Sequence, residues 1–277
     1  ELMLLLYAVM ALIFSTISYC VISPMLTSGT TKRVTEYFQL GLPIILYSML
    51  AVILTRMDIV MVGLLMNAAN VADYDLVLSL AVPLTIFVSL ISSIFLPIFT
   101  RLSNKNRGKV VQEVQALLLL ILLPVASVLI YFKQELFVFL YPDITLTLGV
   151  YSILLCSVLV YCLATVRINQ IIAEKKTKSI AKAFIIVIIS NLLFNGVLIP
   201  IYGLYGAAIS TLLSNLVLYV IYNNKNVLRH MVPIASLFTI GAIQLSIIGI
   251  TLVYYMLFEL QLTKQFISRA FIKHKNK

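Results

Sequence analysis

Residues 40–66 read LGLPIILYSMLAVILTRMDIVMVGLLM, an almost unbroken apolar run interrupted past its middle by two charges, Arg56 and Asp58. Crossing the hydrocarbon core takes about 20 apolar residues at about 1.5 Å of rise each, so this stretch is long enough to span a bilayer. The rest of the chain agrees. Of 277 residues 62% are hydrophobic and 11% charged, with a mean hydropathy of +1.08, whereas soluble domains carry about 45–50% apolar and about 25% charged residues. These values predict an integral membrane protein of the all-α class, a polytopic transmembrane helix bundle. The long continuous apolar stretches lack the period-two alternation of a membrane barrel.

About eight spans can be counted, with ends good to about four residues: 2–23, 38–66, 75–99, 115–132, 146–165, 182–200, 204–222 and 231–257. The chain opens on Glu1, already inside a span and without the basic flank and small-residue cleavage site of a signal peptide, so a preceding N-terminal part is expected. Segments 24–37, 101–113, 166–181 and 223–230 are basic, and each follows an odd-numbered span. The intervening loops 67–74, 133–145 and 199–203 carry Asp73, Glu135 and Asp143 with the single lysine Lys133. The asymmetry puts the basic loops in the cytoplasm and explains most of the net charge of +10, with no call for nucleic acid. The tail LTKQFISRAFIKHKNK (262–277) breaks this pattern. It implies either a further span or a basic segment lying on the membrane surface.

Arg56 lies about eleven residues before Asn67, hence about 16 Å from the nearer boundary. A charge at a helix centre costs about 2.5–3.5 kcal/mol on insertion scales. Arg56 and Asp58 point to nearly opposite sides, since two helical residues rotate by about 200°, and their i±4 neighbours Val52, Val60, Leu54 and Val62 cannot compensate them. The compensation must come from other helices, water or a ligand. Two readings stay open: an interhelical polar clamp, or a hydrated pathway that at least one of the two faces. Asn191 and Asn195 sit one turn apart on one helix face, suited to interhelical hydrogen bonds or to lining the same cavity. Gly206, Ser210 and Ser214 form a small-residue stripe that predicts close helix packing. Arg167, Asn169 and Gln170, at the cytoplasmic end of the fifth span, read as an interface anchor or as a gate that contacts a headgroup.

Signals for catalysis are absent. The chain has no HExxH, GxSxG or GxxxxGK[ST] motif, no Asp-x-Asp pair is expected within a span, and its two histidines, His230 in a loop and His274 in the tail, have no ligand-like spacing. Cys20, Cys156 and Cys162 lie in apolar runs and read as packing residues. The expectation is a transporter rather than an enzyme, with no cofactor and no metal.

Residues 40–66, with Asp58 followed five residues later by Gly63, are similar to the seventh helix of the polysaccharide-biosynthesis flippases. Tyr74 and FLPIFTRL (95–102) fit the helix after it. NLLFNGVLIPIYGLYGAAISTLLSN (191–215), with Asn191, Asn195, Pro200, Gly203 and Gly206, resembles the eleventh and twelfth. The family is the Wzx type, within the multidrug/oligosaccharidyl-lipid/polysaccharide exporter superfamily. The resemblance covers roughly residues 1–225 and implies the C-terminal portion of a two-lobed, V-shaped exporter. Residues 1–23 would be the last helix of a truncated N-terminal lobe, 24–37 a cytoplasmic inter-lobe linker and 38–222 a six-helix C-terminal lobe. Residues 223–257 would add a loop and a further helix, and 258–277 the basic tail, which stands where the pattern places another helix.

The implied function is flipping of undecaprenyl-diphosphate-linked oligosaccharide repeat units, of lipopolysaccharide O-antigen, capsule or exopolysaccharide, across the bacterial inner membrane. The implied partners are that lipid-linked substrate, membrane lipids, a polysaccharide polymerase and glycosyltransferases. Substrate would enter a cationic cavity between the lobes, with Arg56 drawn to its diphosphate or acidic sugars. Asp58 would hold the helix to a neighbour or bind a coupling cation or proton, and Asn191 and Asn195 would line the cavity. A drug/cation antiporter of the same superfamily, and an inactive fragment or membrane scaffold, remain as alternatives.

Overall fold

The computed structural model describes residues 9–10, 12–13, 15–17, 31–102, 104–141, 148–223, 227–235 and 237. Nine helices follow one another among these: α1 (Thr31–Leu65), α2 (Ala68–Ala81), α3 (Thr85–Arg101), α4 (Asn104–Tyr131), α5 (Lys133–Leu140), α6 (Leu148–Ala173), α7 (Thr177–Tyr202), α8 (Leu204–Asn223) and α9 (Val227–Ala235). The described residues contain no strand, as an apolar solvent requires when backbone groups must be satisfied within each segment. Two units, 1–45 and 46–277, divide the chain, and the side chains of the site described below lie in the second.

Six helical segments are long and apolar enough to cross a membrane: Ile45–Leu65, Ala68–Arg101, Arg107–Tyr131, Leu148–Ala173, Thr177–Tyr202 and Leu204–Asn223. They overlay the second to seventh spans expected from hydropathy. The first expected span and most of the eighth, together with the basic tail, His274 and Cys20, lie outside the described residues. The span Ala68–Arg101 contains both α2 and α3, separated by a 3-10 turn at Val82–Leu84. Pro83 accounts for the turn, because it has no N–H to continue the α-helix. The Thr85 hydroxyl donates to the Val82 carbonyl at 2.8 Å, a side-chain repair of the backbone at the break.

Helix α6 is the most buried of the six spans and packs against α2, α3, α4 and α8, while α8 also packs along α7. Its core face includes Tyr151, Leu154, Leu155, Leu159 and Leu163, all fully buried, with Cys156 and Cys162 among them. In a bilayer, such packing is driven by close contact rather than by escape from water, so small residues matter most where backbones approach. Gly206 is the clearest case: a Cβ built there would lie 2.0 Å from the Leu198 carbonyl oxygen of α7. Ser210 and Ser214, next on the same stripe, are fully buried and donate to Gly206 O at 2.8 Å and Ser210 O at 2.7 Å. The α7–α8 connection is a single residue, Gly203, at φ 58°, a left-handed backbone that glycine accepts without steric cost.

Two expectations about boundaries need correction. Helix α2 begins at Ala68, seven residues before the predicted span at 75, because Asn67 caps it: its Oδ1 accepts from the Asn70 backbone N–H at 2.9 Å. Asp73, Tyr74 and Asp75 therefore lie on a spanning helix, so an Asp-x-Asp pair does occur within a span. His230, expected in a loop, sits on α9 and is buried, with its Nδ1 hydrogen-bonded to the Tyr219 hydroxyl.

Candidate functional site

Arg56 and Asp58 diverge as helical rotation demands. Asp58 is 1% exposed and points between α7 and α8. Its Oδ1 accepts from Asn191 Nδ2 at 3.0 Å and Asn195 Nδ2 at 2.7 Å, and its Oδ2 accepts from Thr211 Oγ1 at 2.6 Å. Tyr74 of α2, fully buried, brings its hydroxyl to 3.1 Å from Thr211 Oγ1, and Asn195 Nδ2 also reaches Asn191 Oδ1 at 3.0 Å. Four helices thus meet at one carboxylate. The asparagines come together because Asn191 and Asn195 are one turn apart on α7. Thr211 joins them because it follows the packed Ser210 on α8, one position round the helix.

All three donors to Asp58 are neutral, so the carboxylate is held by hydrogen bonds rather than by a counter-charge. Buried polar groups are tolerated only when so partnered. One acceptor in the cluster is left over: Asn195 Oδ1 is buried and meets no donor among the described residues.

Arg56 lies on the other side of α1. Its Nη1 is 3.3 Å from Asp75 Oδ1 of α2, and the two side chains are 68% and 52% exposed. This partner was missed in the sequence because Asp75 read as the edge of a loop. Helix α1 is the least buried of the six spans. Besides the Asp58 cluster, it is held by contacts such as Tyr47 against the Phe184 ring at 5.8 Å.

Arg167, Asn169 and Gln170 form a separate cluster at the end of α6. Arg167 Nε donates to Tyr222 O on α8 at 3.3 Å and its Nη1 to Gln170 Oε1, while Asn169 donates to Ser92 Oγ on α3. Gln170 Nε2 continues to Glu174 Oε1 at 2.7 Å, and Lys176 Nζ closes the chain on Glu174 Oε2 at 2.9 Å. Burial would raise the Glu174 pKa, but the hydrogen bonds from Lys176 and Gln170 outweigh it and hold the carboxyl below its usual range. Nearby, fully buried Gln115 of α4 donates to Leu163 O at 2.8 Å and Asn223 Oδ1 at 3.2 Å. These bonds join α3, α4, α6 and α8 at the end that bears the basic loops.

The fold and these clusters define a multi-pass helical membrane protein in which the buried Asp58 cluster and the exposed Arg56–Asp75 pair lie on opposite sides of the same spanning helix. A family model described as polysaccharide biosynthesis protein matches residues 2–144, just over half of the chain, and the chain belongs to that family. Its role accordingly lies in polysaccharide biosynthesis or the transport that serves it. No curated protein and no solved structure matches the chain. Among the described residues no group of histidine, cysteine or carboxylate side chains is arranged to hold a metal ion.

Proposed function

We propose that the protein is a Wzx-type flippase that moves undecaprenyl-diphosphate-linked oligosaccharide repeat units across the bacterial inner membrane by alternating access, and that Arg56 receives the anionic headgroup. Membership of the polysaccharide biosynthesis family supports the substrate class. The observation that carries the assignment is the guanidinium of Arg56, 68% exposed and deep within a spanning helix. Facing lipid there would cost several kcal/mol, so this side of α1 faces water or ligand. A guanidinium matches two phosphate oxygens at once.

Asp58 has the complementary task. Its bonds to Asn191, Asn195 and Thr211 fix α1, and hence Arg56, against α7 and α8. The unpartnered Asn195 Oδ1 adds a second role, because a coupling proton or cation at the cluster would supply the donor or charge this acceptor lacks. The protein would take its substrate from glycosyltransferases that complete the repeat unit and pass it to a polymerase on the far side. A drug/cation antiporter would instead offer an acidic surface for amphipathic cations, whereas the acid exposed beside Arg56, Asp75, is paired with a cation. Complementation decides: the full-length protein should restore surface polymer to a strain lacking its own repeat-unit flippase. Drug resistance without polymer would refute the proposal.

A further inference from the structure

We infer that Asp75 is a built-in competitor for the anion that Arg56 receives, and so sets how tightly a phosphate-bearing headgroup is held; this rests on the reading of Arg56 given above. Asp75 reaches Arg56 by one atom pair only, Nη1 to Oδ1, at 3.3 Å. That is beyond the usual 2.7–3.2 Å hydrogen-bond distance and is not the two-pronged geometry of a strong arginine–carboxylate pair. The other N–H groups of Arg56 meet no acceptor among the described residues, and both side chains are more than half exposed. The contrast with Asp58 on the same helix is informative. Asp58 uses both oxygens and is buried, whereas Asp75 uses one and is not.

Such a pair does two things. In the empty protein it partly neutralises two charges that would otherwise burden a spanning segment. When a diphosphate arrives, its several oxygens and greater charge can occupy both prongs of the guanidinium, which Asp75 in its observed position does not. The carboxylate must then be displaced, and the like charge of Asp75 beside the phosphate weakens binding. A headgroup held in this way is easier to release, which suits a transporter that has to let its cargo go.

The test measures binding of radiolabelled farnesyl diphosphate and of inorganic diphosphate to the full chain in nanodiscs of neutral lipid. Asp75→Asn should tighten both probes by about two- to fivefold, the range expected for removing an exposed ion pair. Asp75→Ser, which removes the charge without adding an amide, should act in the same direction and serves if the asparagine variant folds poorly. In an Arg56→Ala background the gain should be clearly smaller, since only the like-charge repulsion is then left to remove; an undiminished gain would overturn the competition for Arg56. Unchanged or weaker binding in the Asp75 variants, with Arg56→Ala still losing affinity, would overturn the competitor role and leave the Arg56 reading standing. A gain confined to farnesyl diphosphate would also overturn it, because the effect would then lie with the prenyl chain. Wild-type affinity in Arg56→Ala would remove the reading on which the inference rests.

Discussion

At the scale of single residues, one helix carries two charges with opposite fates. Asp58 meets three neutral donors from α7 and α8 and is buried, while Arg56 keeps most of its guanidinium open. Because the Asp58 bonds act as a unit, their removal should not be additive. Asn195→Leu and Thr211→Val should each lower the thermal stability of the detergent-purified protein by about 0.5–2 kcal/mol, the range for polar contacts between membrane helices. Asp58→Leu combined with either should cost clearly less than the sum. Strict additivity would mean that the cluster is not a unit. The sequence disclosed the polar residue types but not their pairing. Asn191 and Asn195 share a face by spacing alone, whereas their meeting with Asp58 spans more than 130 positions and leaves no local trace. Asp75 escaped for another reason: the polar run around Asn67 reads as loop, although it caps and begins a helix.

At the scale of helices, hydropathy was a good guide because it averages over about 20 residues, and the six described spans lie where the apolar runs are. What it could not supply was the distance between backbones. The stripe Gly206, Ser210, Ser214 announced close packing, and Gly206 turns out to be the point where no side chain fits against Leu198. Gly206→Ala should therefore cost about 1–3 kcal/mol or prevent stable insertion, as overpacking does. Gly196→Ala, where a Cβ would meet nothing within 4 Å, should be neutral or slightly stabilising, and thermal unfolding of the two variants gives the comparison. The cluster at the end of α6 adds a pH dependence. Glu174 has a lowered pKa in the folded protein, so its contribution is fully present above the unfolded value near 4.5 and fades as pH falls through the folded value. Glu174→Gln should be destabilising at pH 7 and indistinguishable from wild type in strong acid, as followed by melting temperature against pH.

At the scale of the whole molecule, the basic segments 101–113 and 166–181 follow alternate spans, and the positive-inside rule predicts that the side they share is cytoplasmic. In a cysteine-free background, Lys175→Cys, in the turn between α6 and α7, should react with a membrane-impermeant maleimide only once the membrane is opened. Asn70→Cys, near the start of α2, should react in intact spheroplasts. The reverse labelling would invert the orientation and with it the direction of transport. The most direct test of the central claim is the surface polymer made by a flippase-deficient strain carrying the full-length protein with Arg56→Ala, at membrane abundance matched to wild type. Loss of a bidentate charged contact should reduce polymer by about tenfold or more, with Arg56→Lys keeping part of it. Normal polymer from Arg56→Ala would contradict a role for this guanidinium in receiving the headgroup.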